Sequence, residues 1–476
     1  MDRVRNEVGQ FVRAGGLGLV CLLGLLGATS PLRAQTSGSF NRHGSGARAA
    51  GMGNAFIGVS DDGTASAWNP AGLAQLRKPE LSFVGSSIQR SAHLEGYRSL
   101  DDRYTYTPRH PSNDTQFVDF ASLAIPATIG RPVTFQVGWR RLYSLHGGFS
   151  GTLLREPSLL VAGEPVTEIF QQSASTGHVD AVTFSAALRA TKRLSLGVSV
   201  DVWHGSWEFG ESTRQGNAGG GSDYIQVLQR QEFDATSLNF GAMLHLGSWR
   251  AGIVYHAPAR GPIPSTETAD STVPPPGLSI RRAFPPGAEM EFPRSFGVGL
   301  SWKPDPLWTV ALDATHDLWK DWLLIDADSE GEIGEIVNFL DGEPLSTTST
   351  RNTLSFNAGL EWILQKQSFL VPFRFGLAYE PQAPRDSYLF SGYALKLLTF
   401  GLGHNTNRFK FDFAVQRGWF DVRQSEQISI ESALLGFPDA EGLRQERFWR
   451  LKLSAIVRIA DTDKLKRTLG RIFGGS

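Results

Sequence analysis

The side chains that most often carry catalysis or metal binding are present, but not at the spacings those chemistries need. The ten histidines are scattered singly, without metal-ligand spacing or a neighbouring carboxylate motif. The three glycines at 219–221 lack the lysine and the strand–loop–helix context of a phosphate-binding loop. The acidic segment 326–335 does not follow the spacing of a calcium loop, so we interpret it as a solvated surface. The sequence therefore predicts no enzyme, no metal site and no cofactor.

Composition argues against two further classes of protein. The 476 residues include 46 basic and 47 acidic side chains, so electrostatics gives no support for a nucleic-acid partner. The one cysteine, Cys21, lies in a segment that we expect to be removed, which leaves no disulfide and no thiolate ligand in the mature chain. The 52 glycines and 30 phenylalanines are typical of a chain with many strands and turns.

Residues 1–34 have the pattern of a secretory signal peptide. Arginines precede an apolar run from Gly15 to Ala28, and Ala34 provides a small residue at the cleavage point. Beyond residue 34 no run approaches the roughly 18 apolar residues of a membrane helix. An exported chain of this kind enters a membrane only as a closed barrel.

Residues 79–460 show the alternation expected of barrel strands. In the segment 133–141, Val, Phe, Val and Trp alternate with Thr, Gln, Gly and Arg, and about fourteen such segments follow one another. Short connections, such as 190–193 and 303–306, alternate with long ones, such as 144–178, 317–350 and 421–445. We therefore predict an all-β fold, a transmembrane antiparallel β-barrel with short periplasmic turns and long outer loops. Residues 461–476 form a basic C-terminal tail.

Before the first strand lies a stretch of small residues, from Gly46 to Ala74. Its glycines let the backbone bend repeatedly, its alanines allow close packing, and Asp61-Asp62-Gly63 and Asn69-Pro70 are turn formers. On composition alone an ordinary glycine-rich loop remains an alternative. The stretch is a compact coil that can pack in a confined space.

The order of residues in this stretch resembles the N-terminal plug of the FadL/TodX family of outer-membrane long-chain fatty-acid transporters. The residues that carry the resemblance are Gly51, Met52, Gly53, Asp61, Asp62, Asn69, Pro70, Ala71 and Gly72. Segments 292–322, 372–386 and 397–418 are similar to later strands of that family. The resemblance implies that residues 35–78 form a plug inside the barrel lumen. The chain departs from the family in Asn54, where a second glycine is frequent, and in its basic tail.

The resemblance also implies a function, the passive transport of long-chain fatty acids or other hydrophobic compounds across a bacterial outer membrane. Extracellular loops would capture the ligand, a movable plug would pass it on, and it would leave through the barrel wall. Implied partners are hydrophobic small molecules, outer-membrane lipids and the barrel assembly machinery, with the protein as a monomer. The main alternative is a PorV-like docking platform in protein secretion, because such barrels share the N-terminal motif. A porin for polar solutes is disfavoured by a filled lumen.

Two loop regions are unusually apolar. They contain Leu159, Leu160, Ile169 and Phe170 in the first and Trp319 and Trp322 in the second. Such patches either pack together as a cap or form a groove for a hydrophobic ligand, and the resemblance implies a capture groove here.

A fatty acid would also need a cation for its carboxylate. Alternation turns Arg140 inward if Trp139 faces lipid, and it likewise turns Arg374 inward. Either arginine could instead pair with luminal carboxylates such as Asp313 and Asp412.

Overall fold

The computed structural model describes residues 44–99, 104–109, 113–155, 168–216, 222–271, 280–283, 287–327, 333–340, 342–383, 386–387, 390–391, 394–426 and 440–459. The predicted signal peptide and basic tail lie outside these residues, so the proposed domain divisions stay predictions.

Fourteen antiparallel strands form a closed barrel. They are β1 (Glu80–Ser99), β2 (Asn113–Ile129), β3 (Arg131–Ser144), β4 (Glu168–Arg189), β5 (Leu194–Gly216), β6 (Ser222–Leu246), β7 (Trp249–His256), β8 (Ser295–Trp302), β9 (Trp308–Asp317), β10 (Thr353–Gln365), β11 (Leu370–Pro381), β12 (Ala394–Asn405), β13 (Phe409–Glu426) and β14 (Ala440–Arg458). Each pairs with its neighbour among these strands, and β1 closes the barrel on β14 from the pair Glu80–Arg458 to the pair Ser99–Ala440.

The alternation in sequence becomes an inner and an outer face. Along β8, buried and exposed residues alternate without interruption, and Phe296, Val298 and Leu300 point outward with 47%, 52% and 40% exposure. An apolar outer face with every strand paired is what a membrane requires, because lipid offers no hydrogen bonds. The prediction of a transmembrane β-barrel with an N-terminal plug is confirmed.

The two ends of the barrel differ. At one end, here the turn end, strands are joined by tight connections, such as Gly130 between β2 and β3 and Gly247-Ser248 between β6 and β7. Outward tryptophans lie close to this end, with Trp249 stacked on Trp302 at 5.6 Å. Tryptophan is favoured where the apolar band meets water.

The opposite, loop end carries additional strands and a short 3₁₀ helix. They are Tyr104–Arg109, Gly147–Arg155, Ala259–Pro262, Ser265–Ser271, Ile280–Ala283, Glu289–Phe292, the helix Trp319–Asp321, Leu323–Ala327, Ile333–Asn338, Asp386–Ser387 and Phe390–Ser391. Four of them form a separate sheet over the barrel, in the order Ala259–Pro262, Glu289–Phe292, Leu323–Ala327, Ile333–Asn338. In the described part of the chain no helix is long and apolar enough to cross a membrane.

A bulge between β1 and β2 interrupts the alternation. The register between β1 and β2 shifts at Val84 and Gly85, and the neighbouring residues Asp119 and Phe120 are both buried. Strict alternation would have placed these two side chains on opposite faces, and the extra residue of a bulge removes that constraint. Asp119 is thereby available to Lys452, whose Nζ lies 2.8 Å from its Oδ2.

Residues 44–79 fold inside this barrel. They form the helix α1 (Ala47–Gly51) and two 3₁₀ helices, Ala65–Ala67 and Pro70–Gln75. The Asn69 side chain accepts a hydrogen bond from Ala71 N at 3.1 Å, and Pro70 takes the first position of the last helix. An Asn cap followed by Pro starts a helix locally, so this part of the motif has a structural reason of its own.

Candidate functional site

The plug is hydrogen-bonded to the barrel wall through its backbone. Gly53 N donates to Thr399 Oγ1 at 3.0 Å, and Asn357 Nδ2 donates to Gly53 O at 2.8 Å. On β9 the Asp313 carboxylate accepts two hydrogen bonds at one oxygen, from Phe56 N at 2.5 Å and Ile57 N at 2.7 Å. The wall thus satisfies plug backbone groups that would otherwise be buried without partners.

The plug approaches the wall so closely that side chains are excluded at the contact. A Cβ on Gly376 would lie 2.0 Å from Gly53 N, and one on Gly241 would lie 2.1 Å from Asn69 Oδ1. Seven strands each offer such a glycine, and we call this set the glycine belt: Gly197, Gly241, Gly252, Gly299, Gly359, Gly376 and Gly401. The plug backbone packs directly against the belt glycines, and this fit determines the position of the plug in the lumen.

An ion-pair network connects the plug to the wall on the turn side. Arg48 donates to both oxygens of Glu361 at 2.9 Å and also pairs with Asp61. Asp61 in addition lies 3.3 Å from Lys303 and 3.4 Å from Arg250. Burial alone would raise the pKa of the Asp61 carboxyl, but Arg48, Lys303 and Arg250 hold it well below its usual range. Asp61 therefore stays ionised at neutral pH.

The second aspartate of the motif has a different role. The Asp62 carboxylate is buried, and its Oδ1 accepts hydrogen bonds from Thr64 N at 3.0 Å and Thr64 Oγ1 at 2.6 Å. This is an Asx turn, which holds the chain direction before the helix Ala65–Ala67.

The two arginines selected from sequence both point inward, as alternation predicted. Arg374 bonds Glu361 and Asp412, each at 2.7 Å, and is 1% exposed. The pairing with Asp412 is the alternative that the sequence left open. Arg140 is fully buried and bonds Asp201. Neither pairing tests whether these arginines bind a ligand.

The apolar residues of the second loop pack into a cap. Trp319 and Trp322 are 1% and 2% exposed, and Trp322 stacks on Phe292 at 5.1 Å and on Phe339 at 4.8 Å. The aromatic cap comprises Tyr143, Trp203, Phe233, Phe292, Trp319, Trp322 and Phe339. Of the two explanations given for apolar loops, packing into a cap describes the arrangement of these tryptophans in the structure. Trp203 of β5 is 2% exposed and joins the cap from the inner face of the wall, with its ring 5.2 Å from that of Phe292.

The first loop is described only in part. Leu159 and Leu160 lie outside the described residues, and Ile169 lies in β4 with a side chain that is likewise outside the description. Phe170, also in β4, is half-buried. The grouping of these four residues with Trp319 and Trp322 in one groove stays a prediction.

Between the plug and the loop end is a small cavity of about 110 Å³. Trp68 of the plug lines it, together with the cations Arg450 and Lys452 of β14. Our sequence reasoning did not select these cations, although alternation with the outward Trp449 and Leu451 would have turned both inward. Among the described residues, no group of three or more His, Cys, Asp or Glu side chains converges in a way that could hold a metal ion.

No family model matches the sequence, and no curated protein matches it. Among solved structures, the chain is similar to a FadL homologue of Pseudomonas aeruginosa, with 16% identity and a TM-score of 0.58 over 86% of this chain and 97% of that one. The toluene transporter TbuX of Ralstonia pickettii has 17% identity and a TM-score of 0.53 over 88% of this chain and 100% of its own. The Pseudomonas putida toluene transporter TodX has 14% identity and a TM-score of 0.53 over 88% and 99%.

These likenesses define the class of structure. The chain has the fold of the FadL-type barrels, with fourteen strands around a plug, and the resemblance stated from sequence is confirmed at the level of fold. The likeness at this level of identity is one of fold, and the function of the chain is a separate question.

Proposed function

We propose that this protein is a passive outer-membrane channel for hydrophobic compounds, long-chain fatty acids among them, in a Gram-negative-type bacterium. The observation that carries the proposal is an aromatic cap above a lumen that a seated plug already fills. Two of the structures that share the fold are named as toluene transporters, and the third as a FadL homologue. An apolar cap and these neighbours point to the same class of solute.

The physical problem for such a solute is solvation. Water in an open pore does not favour apolar compounds, whereas a path lined by aromatic side chains offers them contact area without exposing them to water. Loops would first capture the compound at the cap, and the cavity beside Trp68 would receive it next. The plug would then move, and the compound would leave through the wall. The protein would work as a monomer among outer-membrane lipids, placed there by the barrel assembly machinery.

For a fatty acid, Arg140 is the better placed of the two predicted carboxylate ligands. Two nitrogens of Arg140, Nε and Nη1, are buried without a hydrogen-bond partner among the described residues. In Arg374 one nitrogen, Nη2, is buried without such a partner. Arg140 also lies level with the cap, because its cross-strand neighbour Ala181 pairs in turn with Trp203. A guanidinium with donors to spare beside aromatic rings suits a compound with one carboxylate and an apolar tail.

Binding by the purified protein tests the proposal directly. A radiolabelled long-chain fatty acid and an uncharged aromatic compound should both bind to the protein in detergent. The double variant Trp319→Ala/Trp322→Ala should weaken both by about tenfold, because each tryptophan contributes a large apolar contact. The control Trp449→Ala, which removes a ring that is 46% exposed on the outer wall, should bind as the wild type does.

If neither compound binds the wild type, the channel proposal is refuted. A secretion platform that binds a protein partner instead would then be the better reading.

A further inference from the structure

A second cavity, of about 500 Å³, opens at the turn end of the barrel beneath the plug. We call it the basic cavity, because seven basic side chains and only two carboxylates line it. The basic residues come from the plug, from the turn between β4 and β5, and from strands on opposite sides of the barrel. Chain segments far apart in sequence therefore bring like charges to one place.

Some of these charges are neutralised by neighbours. Arg48 is held by Glu361, while Arg458 and Lys410 approach Glu80 at 3.2 Å and 3.9 Å. Arg48 thus has a counter-charge of its own, whereas Arg458 and Lys410 share the one carboxylate of Glu80 and are neutralised only in part.

Three other cations of the cavity have no such neighbour. Arg77, Arg189 and Lys192 meet no carboxylate among the described residues. The Nε of Arg189 is buried without a hydrogen-bond partner in the described part of the chain, and its Nη2 makes one long contact, 3.4 Å to Ala74 O. Arg189 therefore has donors available at the cavity.

A fourth cation is held weakly. Arg250 Nη1 lies 3.5 Å from Val59 O and 3.4 Å from Asp61 Oδ2, both at the long limit of hydrogen bonding. It can turn toward an anion without losing a short bond.

Arg189 and Arg250 are half-buried, so they repel each other more strongly than in water, and the protein wall focuses their field into the cavity. Arg77 and Lys192 add exposed positive charge at its edge. An anion with more than one charge would relieve this repulsion.

We propose that the basic cavity is a binding site for a phosphate-bearing anion. Guanidinium groups match phosphate oxygens in pairs, and a doubly charged group fits several unpaired cations better than a single carboxylate does. The volume of the cavity lies in the range of small-ligand sites. A free phosphate compound and a phospholipid headgroup share this chemistry. The inference is independent of which hydrophobic compound the channel carries, because the cavity lies on the other side of the plug.

The test uses the full mature chain purified in a zwitterionic detergent. Inorganic pyrophosphate and dihexanoyl phosphatidic acid are each titrated by calorimetry. In the double variant Arg189→Gln/Lys192→Gln, the Kd for the probe should rise about tenfold or more, because two charged donors are removed. The matched control is Lys366→Gln/Arg408→Gln, which removes two exposed charges at the same end of the barrel but outside the cavity, and its Kd should not change.

The two probes identify the source, since tighter binding of pyrophosphate indicates a soluble ligand and tighter binding of the lipid a headgroup. Should the double variant not fold, Lys192→Gln alone changes an exposed turn residue and should raise the Kd about threefold. Absence of saturable binding of both probes to the wild type overturns the proposal. Equal loss of binding in the control variant overturns it as well.

Discussion

Three arginines of the lumen, Arg48, Arg374 and Arg140, are connected to carboxylates in two separate groups. On the turn side, Glu361 accepts from both Arg48 of the plug and Arg374 of the wall. On the loop side, the Asp201 carboxylate that holds Arg140 also accepts from Thr183 Oγ1 at 2.6 Å. The first group couples plug to wall, and the second lies beside the cap. The same residue type therefore serves structure at one site and, under our proposal, ligand binding at the other.

Removing Arg374 should destabilise the barrel. Arg374→Ala leaves Glu361 and Asp412 buried with fewer counter-charges, which costs about 3–5 kcal/mol for a buried pair. The denaturant midpoint of unfolding, followed by the heat-modifiable gel mobility, should fall accordingly. Arg294→Ala breaks an exposed pair with Asp321 at 2.9 Å and should change stability by about 1 kcal/mol or less. Similar midpoints for the two variants would contradict this view of the network.

Removing Arg140 should act on ligand binding. Arg140→Ala should weaken binding of a long-chain fatty acid about tenfold while leaving an uncharged aromatic compound unaffected, because that compound needs no cation. Competition binding to the purified variants measures both affinities. A parallel loss for the two ligands would mean that the substitution disturbs the cap and not a carboxylate site.

The ionised Asp61 carboxylate pairs with Lys303 and Arg250, so its pKa determines the pH range over which these bonds hold the plug to the wall. Its pKa is depressed in the folded protein, so its stabilising contribution is complete above the ordinary value of about 3.9 and disappears only as the pH falls through the depressed value. We expect Ala74→Cys, at a site that is 5% exposed, to label slowly with a maleimide from pH 5 to pH 8. Adding Asp61→Asn should accelerate labelling several-fold, whereas Asp421→Asn, an exposed carboxylate, should not. Fast labelling without Asp61→Asn would show that the plug is not seated.

At the scale of elements, the plug and the strands are matched by shape. The glycine belt spans β5 to β12, and on β9 the Asp313 carboxylate takes the corresponding place by binding plug N–H groups. The turn-side ion pairs, such as Arg48 with Glu361, and the plug glycines Gly51 and Gly53 add further contacts between plug and wall. Contacts distributed over β5 to β12 therefore hold the plug in place.

A methyl group on the belt should unseat the plug and spare the barrel. Gly376→Ala and Gly241→Ala place a Cβ 2.0 Å and 2.1 Å from the nearest plug atom, which is a steric clash. In Gly210→Ala the nearest atom is 3.6 Å away, an ordinary van der Waals contact. In planar bilayers the first two variants should show a higher ion conductance than the wild type, with heat-modifiable mobility retained. Gly210→Ala should conduct as the wild type does. Unchanged conductance in both belt variants would argue against the belt as the seat.

At the scale of the whole molecule, the barrel has a defined direction. The start of β1 and the end of β14 both lie at the turn end, opposite the additional strands of the loop end. Under the proposed export, an N-terminus that stays in the periplasm would place the turn end there. The basic cavity would then face the periplasm and the aromatic cap the outside.

Protease treatment of whole cells measures this direction. Cleavage should occur within 144–178, 317–350 and 421–445, and the turns 190–193 and 303–306 should stay intact until the outer membrane is permeabilised. Cuts confined to the turns in intact cells would invert the orientation.

Local rules were enough to determine the barrel from sequence. The alternation at Phe296, Val298 and Leu300, the order of short and long connections, and the Asn69-Pro70 helix start each depend on neighbours in the chain, so they can be read without coordinates. Inward placement of Arg140 and Arg374 followed from the same period of two.

Only the tertiary structure decided what those inward residues meet. The pairing of Arg48 with Glu361, the fit of Gly53 against Gly376 and the stacking of Trp322 on Phe292 join segments that are separated in sequence. The bulge at Asp119 shows the same limit, because a register shift depends on the partner strand and not on the strand itself. Alternation tells which face a side chain occupies, whereas closure of the barrel determines its neighbours across the lumen.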